Sequence, residues 1–365
     1  MWNISDEVKP SNRAHVQSLK RKIAAACPPV LPKKRLSVIH RLNCFLQLWL
    51  LKIIAATYFF VRRLFINSPF AIRPTLVKRY TCRLTLEVRI FFPPDYEGNS
   101  RSLLPLYFNI HGGGFAVCDA QIDDRFCTSW AKRTGMLVVS LNYTKAPLNP
   151  FPAASYDIAA VIKEVLEDAS LPVDKSRVAI GGFSAGGNLA LSATQLPWLK
   201  GIIKAAVVYY PIVDFSHPPD VKLAAKPYTN SPPDTLEKSS WIFDWGYVSN
   251  GQNRRDPLLS PCYAKREDLP PWIYMVGAEW DMLRLEAQVM IHHLAGLVNE
   301  EDPMVDAFEK GNYKWTVAKG CSHGFTHDLG GGSPDIQKRR QTCEMIYQEA
   351  YEWLERSVLG CQDGK

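Results

Sequence analysis

The pattern of apolar and polar positions changes character near residue 80. From there on, apolar runs of strand length alternate with stretches of helical spacing, and the last helical pattern extends from about Asp335 to Ser357. The strand-like runs are residues 83–91, 104–110, 136–142, 177–181, 205–210, 272–277 and 314–318. Strands that alternate with helices form parallel sheets with helices on both faces. The pattern therefore predicts an α/β domain.

The first segment that departs from this alternation is residues 42–65, an apolar stretch long enough to span a bilayer. Lys52 lies in its middle, with Asn43 and Gln47 nearby. On an insertion scale a central lysine costs roughly 2.5–3.5 kcal/mol, and these polar side chains together offset the ~5 kcal/mol contributed by the apolar ones. Three interpretations stay open: a helix packed as a cap over a functional site, a membrane anchor, or a helix lying flat on a membrane.

The second departure is residues 212–262, which are rich in Pro, Ser and Asp and contain a dense aromatic patch. Loops of this length without structure of their own are uncommon unless they are functional. The segment is therefore interpreted as a cap insertion or as a long functional loop. The aromatic side chains would line an apolar pocket or form the core of the cap; they are Trp241, Phe243, Trp245 and Tyr247.

Charge separates the N-terminal segment from the rest of the chain. Residues 1–80 contain 15 Lys and Arg against 2 Asp and Glu, whereas residues 81–365 contain 28 against 34. A basic character confined to one segment argues against a nucleic-acid-binding core. It favours contact with an anionic membrane surface or a solvated basic arm.

Cysteine usage and the N-terminus bear on the compartment. The chain has nine cysteines in no C-x-x-C pair, which predicts no zinc or disulfide framework and favours a reducing compartment. Residues 1–22 are polar and charged, unlike a signal peptide. We expect a cytoplasmic protein, or one that associates with a membrane through residues 42–65.

The stretch from Gly182 to Gly186 matches the pattern G-x-S-x-G, between a strand-like run and a helical pattern. In this context the serine, Ser184, occupies a sharp turn with its hydroxyl exposed above the sheet. The N-terminus of the following helix favours negative charge at that point. The pattern predicts a nucleophilic serine; the alternative is a strand–helix turn of another kind, such as a phosphate loop.

A serine nucleophile needs a base, and the base needs an acid that orients it. Asp281 follows the run at 272–277, and His323 follows the run at 314–318. Open α/β sheets place their sites at such strand ends, and the chain order serine, acid, histidine is that of α/β-hydrolases. We expect Asp281 to be the acid and His323 the base, with Glu279 and His327 as the local alternatives.

A tetrahedral intermediate also needs hydrogen-bond donors. The sequence His111-Gly112-Gly113-Gly114-Phe115 follows the run at 104–110. Consecutive glycines let backbone N–H groups point at an oxyanion without steric obstruction. We expect the donors to be the N–H groups of Gly113, Gly114 and Ala185, the alternative being a glycine-rich surface turn.

Together these motifs resemble the hormone-sensitive-lipase-like branch of the α/β-hydrolases. The similar stretches are HGGGF, YTKAPLNPFPAASYD, GFSAGGNLA, DPLLSP, LPPWIYMVGAEWDML and SHGF, in order over about residues 80–355. The resemblance implies a mostly parallel eight-stranded sheet with a helical cap, and ester hydrolysis without a metal or organic cofactor. It divides the chain into a basic N-terminal segment, residues 1–79, and a catalytic domain, residues 80–358, with its cap insertion at about 212–262.

The chain departs from that branch at two positions, where Phe183 and Leu148 stand in place of the Asp and Glu that are frequent in relatives. The expected substrate is a small or medium apolar ester, and nucleic acid is not expected as a partner. The residues expected to contact the substrate are Phe115, Phe183, Trp241 and Trp245. Two alternatives stay open: an amidase, arylformamidase or other acyl-transfer enzyme on the same triad, or a non-catalytic ligand-binding protein. The oligomeric state is not predicted.

Overall fold

The computed structural model describes residues 37–64, 72–98, 102–226, 232–297, 305–327 and 330–360. The basic residues before position 37, which are 8 of the 15 Lys and Arg residues in positions 1–80, lie outside the described residues. The described part contains one mixed sheet of nine strands in the order β1-β2-β4-β3-β5-β6-β7-β9-β8. The strands are β1 (Leu76–Lys78), β2 (Val88–Phe91), β3 (Leu104–Ile110), β4 (Leu137–Leu141), β5 (Val173–Phe183), β6 (Ala205–Tyr209), β7 (Trp272–Trp280), β8 (Ala307–Lys310) and β9 (Tyr313–Ser322).

The central strands run parallel. β4, β3, β5, β6, β7 and β9 pair with parallel neighbours, whereas β1, β2 and β8 pair antiparallel at the two edges. Because parallel strands end at the same edge of a sheet, the loops after β3, β5, β7 and β9 come together there.

Helices cover both faces of the sheet, as the alternating pattern predicts. The helices are α1 (Val38–Leu64), α2 (Asp124–Thr134), α3 (Ala153–Glu167), α4 (Ala185–Ala193), α5 (Pro219–Ala224), α6 (Ser240–Tyr247), α7 (Arg284–Leu294) and α8 (Pro334–Leu354), the last continuing into a π-helical turn at Glu355–Leu359. Apolar residues of α3, α4 and α7 pack on one face of the sheet. Those of α2 and α8 pack on the other. The central strands are buried on both faces, which explains their continuous apolar runs.

The sheet has nine strands rather than the expected eight. The short edge strands β1 and β8 are largely exposed and carry no alternation of buried apolar side chains, so the sequence pattern does not reveal them. The predicted strand at 83–91 is shortened to β2, because Thr81–Arg83 forms a 3-10 turn. Glu164 of α3 accepts a hydrogen bond from the Cys82 backbone N–H at 3.0 Å, which ties this turn to the helix layer.

Helix α1 lies on the face of the domain that carries α6, with which it makes its main contacts. Cys44, Leu48 and Phe59 are buried against the domain. The ammonium group of Lys52 donates hydrogen bonds to the carbonyl oxygens of Ala116 at 2.9 Å and Ala146 at 2.7 Å. The helix is long and apolar enough to cross a membrane, and most of its apolar stretch is exposed, since only 17% of that stretch is buried.

Residues 212–262 lie between β6 and β7 and contain the short helices α5 and α6. Helix α6 is fixed to the domain near its C-terminal end. The ring of Tyr247 stacks on Phe115 with centroids 3.8 Å apart, and Asp244 forms a two-point ion pair with Arg254, both contacts at 2.6 Å. The Tyr247 carbonyl also accepts a hydrogen bond from the Phe151 N–H at 2.9 Å. This arrangement positions the aromatic patch beside the ends of the central strands.

Candidate active site

Ser184 occupies the turn between β5 and α4, with φ 54° and ψ −116°. A non-glycine residue with positive φ is strained and is held there by its surroundings. Gly182 and Gly186, each two residues from the serine, permit the turn for a different reason, namely close packing. A Cβ at Gly182 would lie 2.5 Å from the Ile110 carbonyl oxygen, and a Cβ at Gly186 would lie 2.0 Å from the same atom. The glycines therefore let α4 approach β3 closely, which exposes the serine at the strand ends.

Three side chains that are far apart in the sequence meet at this turn. The Nε2 atom of His323 lies 2.8 Å from the Ser184 Oγ, and its Nδ1 lies 2.7 Å from Oδ2 of Asp281. Asp281 directly follows β7 and His323 directly follows β9. The carboxylate of Asp281 is buried, and its other oxygen accepts the Leu283 backbone N–H at 2.9 Å. Because the Asp281 carboxylate is a hydrogen-bond acceptor, Nδ1 of His323 carries the proton, and Nε2 is left to accept the hydrogen bond of the serine hydroxyl.

The two local alternatives have other partners. The carboxylate of Glu279 accepts a hydrogen bond from the Gly320 N–H at 2.6 Å. His327 pairs through Nε2 with Asp123 at 2.8 Å and lies edge-on to the ring of Phe183, 4.9 Å between centroids. Both side chains thus have structural contacts, and neither bonds to Ser184.

The loop after β3 passes close to the serine. A Cβ at Gly112 would lie 3.4 Å from the Ser184 Cβ. Gly113 and Gly114 have φ values of +110° and +57°, which other residues rarely adopt. Ala185 is the first residue of α4, so its N–H is one of the helix donors without an intrahelical acceptor. Gly112 thus lies beside the serine, and Gly114 and Ala185 line the same cavity as Ser184.

Sequence reasoning missed Lys145, which lies behind this loop. Its ammonium group donates hydrogen bonds to Oδ1 of Asn142 at 2.7 Å and to the Tyr143 carbonyl, and lies 3.2 Å from Nε2 of His111. Burial lowers the pKa of Lys145 to about 7. Burial and the neighbouring ammonium group also hold the pKa of His111 well below its usual value, so that its ring is neutral. The only signal for Lys145 in the sequence is its position inside the stretch YTKAP, two residues after Tyr143.

A cavity of about 60 Å³ lies beside Ser184. Of the four side chains expected to contact substrate, only Phe115 lines it. Phe183 is instead buried on the opposite face of the sheet, stacked on Tyr209 at 4.8 Å, because the residue before the serine points away from it. Trp241 is 40% exposed on the outer side of α6, and Trp245 packs against the core. The apolar wall includes Ile212, Phe215, Leu236, Phe243, Met282 and Leu283.

A family model described as alpha/beta hydrolase fold matches residues 107–325, more than half of the chain. The chain belongs to the α/β-hydrolase family. The sequence resemblance to its hormone-sensitive-lipase-like branch is thereby confirmed. Among curated proteins, the chain is 31% identical over 215 residues to the ethyl acetate hydrolase of Pseudomonas putida, a match that covers 58% of this chain and 65% of that protein.

It is also 35% identical over 148 residues to neutral cholesterol ester hydrolase 1 of Mus musculus, covering 36% of this chain and 35% of the relative. The chain thus spans less than two thirds of the length of these relatives. Among solved structures, the Pyrobaculum calidifontis esterase aligns with a TM-score of 0.64 at 24% identity, covering 88% of this chain and 99% of that one. This similarity supports the α/β-hydrolase fold.

Proposed function

We propose that this protein is a serine hydrolase that cleaves carboxylic esters of small or medium apolar substrates through an acyl-enzyme on Ser184. The observation that carries the proposal is the pair of hydrogen bonds that joins His323 to Ser184 and Asp281. A strand–helix turn that binds phosphate does not require a histidine hydrogen-bonded to its serine. A non-catalytic binding protein does not require a complete Ser-His-Asp triad.

The geometry supports the following sequence of steps. The Ser184 Oγ attacks the ester carbonyl while Nε2 of His323 takes its proton. Asp281 holds the imidazole in the required tautomer and stabilises the imidazolium. The N–H groups of Gly113, Gly114 and Ala185 bind the oxyanion. His323 then protonates the leaving alcohol, and water attacks the acyl-enzyme with the same histidine as base.

The apolar cavity supports an uncharged acyl group. The ionisable side chains that line it already have partners: His217 pairs with Asp214 at 2.8 Å, Lys222 with Glu286 at 2.6 Å, and Asp244 with Arg254 at 2.6 Å. The names of the similar curated proteins, an ethyl acetate hydrolase and a cholesterol ester hydrolase, also support ester over amide substrates. An amidase or arylformamidase on the same triad is the alternative that the test must separate.

The test compares matched p-nitrophenyl esters, p-nitroanilides and aryl formamides, together with labelling by a small fluorophosphonate. We expect turnover of the ester to exceed that of the anilide and the formamide, and stoichiometric labelling that Ser184→Ala abolishes. Faster turnover of the formamide or the anilide would assign the alternative activity. A wild-type protein that is neither labelled nor active on any ester would contradict the proposal.

We further propose that α1 associates with a membrane while remaining packed on the domain. Large exposed apolar side chains cover its outer side; they are Val38, Ile39, Leu42, Phe45, Leu46, Leu50, Ile53, Ile54, Tyr58, Phe60, Val61 and Leu64. Monomeric soluble proteins rarely expose an apolar patch of this extent. The excess of basic residues in the first 80 positions suits an anionic lipid surface. The hydrogen bonds of Lys52 favour a helix lying flat over one that spans the bilayer.

Flotation with vesicles of phosphatidylcholine and phosphatidylserine tests this association. We expect the full chain to float with the vesicles and to be released by carbonate. Ile53→Glu together with Ile54→Glu should abolish flotation, whereas the control Met345→Glu, on an equally exposed residue of α8, should not. Retention after carbonate would indicate a spanning anchor, and absence of flotation in the wild type would exclude membrane association.

We also propose that the domain lies in the cytoplasm, because its cysteines are free thiols. The seven cysteines within the described ranges form no disulfide. Burial raises the pKa of Cys118 and of Cys343 to about 12, which keeps these thiols protonated and unreactive.

A further inference from the structure

The cavity beside Ser184 has phenyl rings in its wall, namely those of Phe115, Phe215 and Phe243. Its volume of about 60 Å³ is that of roughly four or five water-sized groups, enough for a short acyl chain. Most of the residues that line it belong to the 212–262 insertion, so side chains of this insertion limit the space.

Phe243 of α6 lies against Gly114 in the loop after β3, which carries the proposed oxyanion donors Gly113 and Gly114 and is called the oxyanion loop below. A Cβ built on Gly114 would lie only 2.4 Å from the Phe243 Cγ and 2.6 Å from both Cδ atoms. The ring thus lies directly against Gly114 and lines the same cavity as Ser184. An acyl chain that is attached to Ser184 and extends past this loop would contact the phenyl ring.

The helix that carries Phe243 is held to the domain on the C-terminal side of the ring. The next residue, Asp244, is bound to Arg254, and Tyr247 one turn later stacks on Phe115. A Cβ at Gly246 would lie 2.7 Å from a methyl carbon of Leu48, so α1 packs closely over the helix backbone. A change in the size of the cavity therefore requires a change at the ring itself rather than a small shift of the helix.

We propose that Phe243 sets the acyl-chain length that this enzyme accepts, by closing the cavity against Gly114 so that only short acyl chains fit. This inference rests on the proposed ester hydrolysis at Ser184 and names the class of substrate: esters of short, unbranched, uncharged carboxylic acids. Removal of the ring would enlarge the cavity beside Gly114 and admit longer chains.

The experiment measures kcat/KM of the full chain for p-nitrophenyl acetate, butyrate, octanoate and dodecanoate. We expect the wild type to prefer acetate or butyrate over octanoate. Phe243→Ala should raise the octanoate-to-butyrate ratio by about tenfold or more, the selectivity typical of one or more methylene groups in an apolar pocket. Phe243→Leu should give an intermediate ratio, and Phe243→Trp should lower the ratio below that of the wild type.

Trp241→Ala is the matched control, because Trp241 lies on the same helix with its ring on the exposed side. This variant should keep the wild-type length profile. A thermal denaturation curve with a cooperative transition should show that Phe243→Ala is folded. The proposal is wrong if this folded variant also keeps the wild-type profile. It is wrong as well if the wild type hydrolyses the dodecanoate ester as fast as the butyrate ester.

Labelling of Ser184 by fluorophosphonates with short and long alkyl chains separates this inference from the proposed function. If no ester is turned over but short reagents label the wild type faster and Phe243→Ala removes that preference, the ester hydrolysis is wrong and the size limit stands. If esters are turned over and labelling by short and long reagents is equally fast in both proteins, the size limit is wrong and the hydrolysis stands.

Discussion

The ammonium group of Lys52 lies 2.9 Å from the carbonyl oxygen of Ala116, and this hydrogen bond joins the N-terminal helix to the loop that carries Gly113 and Gly114. A second bond, to the Ala146 carbonyl, closes the same contact. Lys52, which argued against a spanning helix in the sequence, thus connects the helix to the domain. Its cost in an apolar segment is offset by two backbone acceptors.

Substitution of Lys52 by methionine should loosen α1. Two carbonyl oxygens would lose their donor while staying partly buried, at a cost of about 1–3 kcal/mol. We expect faster hydrogen exchange throughout α1, and a reduced kcat because the oxyanion loop loses a support. Lys163→Met, on an exposed lysine of α3, is the control and should change neither quantity. Unchanged exchange in α1 of the Lys52 variant would show that the two hydrogen bonds do not hold the helix.

The acid of the triad is tested against its neighbour in the sequence. Asp281→Asn should lower kcat by about 10⁴-fold, because the amide favours the wrong tautomer of His323. Glu279→Gln should cost less than about tenfold, since that side chain bonds to the Gly320 N–H rather than to the histidine. Steady-state kinetics on p-nitrophenyl butyrate measure both. Equal losses in the two variants would argue against the assignment of Asp281.

The base is tested by the same design. His323→Gln should remove turnover to within the residual rate of the oxyanion hole, a loss of about 10⁴–10⁶-fold in kcat. His327→Gln should retain most of kcat, because its ring pairs with Asp123 and does not bond to Ser184. The thermal stability of the His327 variant is expected to fall, since the buried carboxylate of Asp123 would lose a partner. A larger loss of kcat at His327 than at His323 would reverse the assignment.

The oxyanion loop should not tolerate a side chain at Gly113. The Cβ of Gly113→Ala would lie 2.4 Å from the Val117 carbonyl oxygen at a φ of +110°, so the loop must move. Loss of one oxyanion donor typically costs about 10²–10³ in kcat, with little change in KM. Gly135→Ala shares a positive φ of +68° but has no atom within 4 Å of the new Cβ. That control should lose stability and keep its kcat; a normal kcat in the Gly113 variant would exclude its N–H as a donor.

The buried Lys145 predicts a pH-dependent stability. Its pKa falls from 10.5 to about 7 in the folded protein, so between these values the unfolded chain binds more protons than the folded one. The free energy of unfolding of the wild type relative to Lys145→Met should therefore rise from pH 7 to 10.5, by at most about 1.4 kcal/mol per pH unit. Below pH 7 the difference should be constant. Urea denaturation across this range measures it, with Lys163→Met as the control that should give a flat line.

The sequence was most informative where one local pattern carries the chemistry. The turn around Ser184 needs glycines and a strand–helix boundary, and all of these are visible in a few consecutive residues. The meeting of Asp281 and His323 at Ser184 was predictable because each directly follows a strand of the parallel part of the sheet, and parallel strands end at one edge. Periodicity gave the central strands, since burial on both faces leaves a continuous apolar run.

The tertiary structure alone decided which side chains surround that turn. The sequence pointed to Phe183 and Trp241 as substrate contacts and named Phe243 only among the aromatic residues of the insertion. Phe183 lies on the opposite face of the sheet and Trp241 on the exposed side of α6, whereas Phe243 lines the cavity. Lys145 and Lys52 look like ordinary charges until backbone carbonyls from distant segments enclose them. Local sequence encodes dihedral preferences and burial, but the distance between two side chains depends on how whole elements pack, and that packing is decided by contacts along the entire chain.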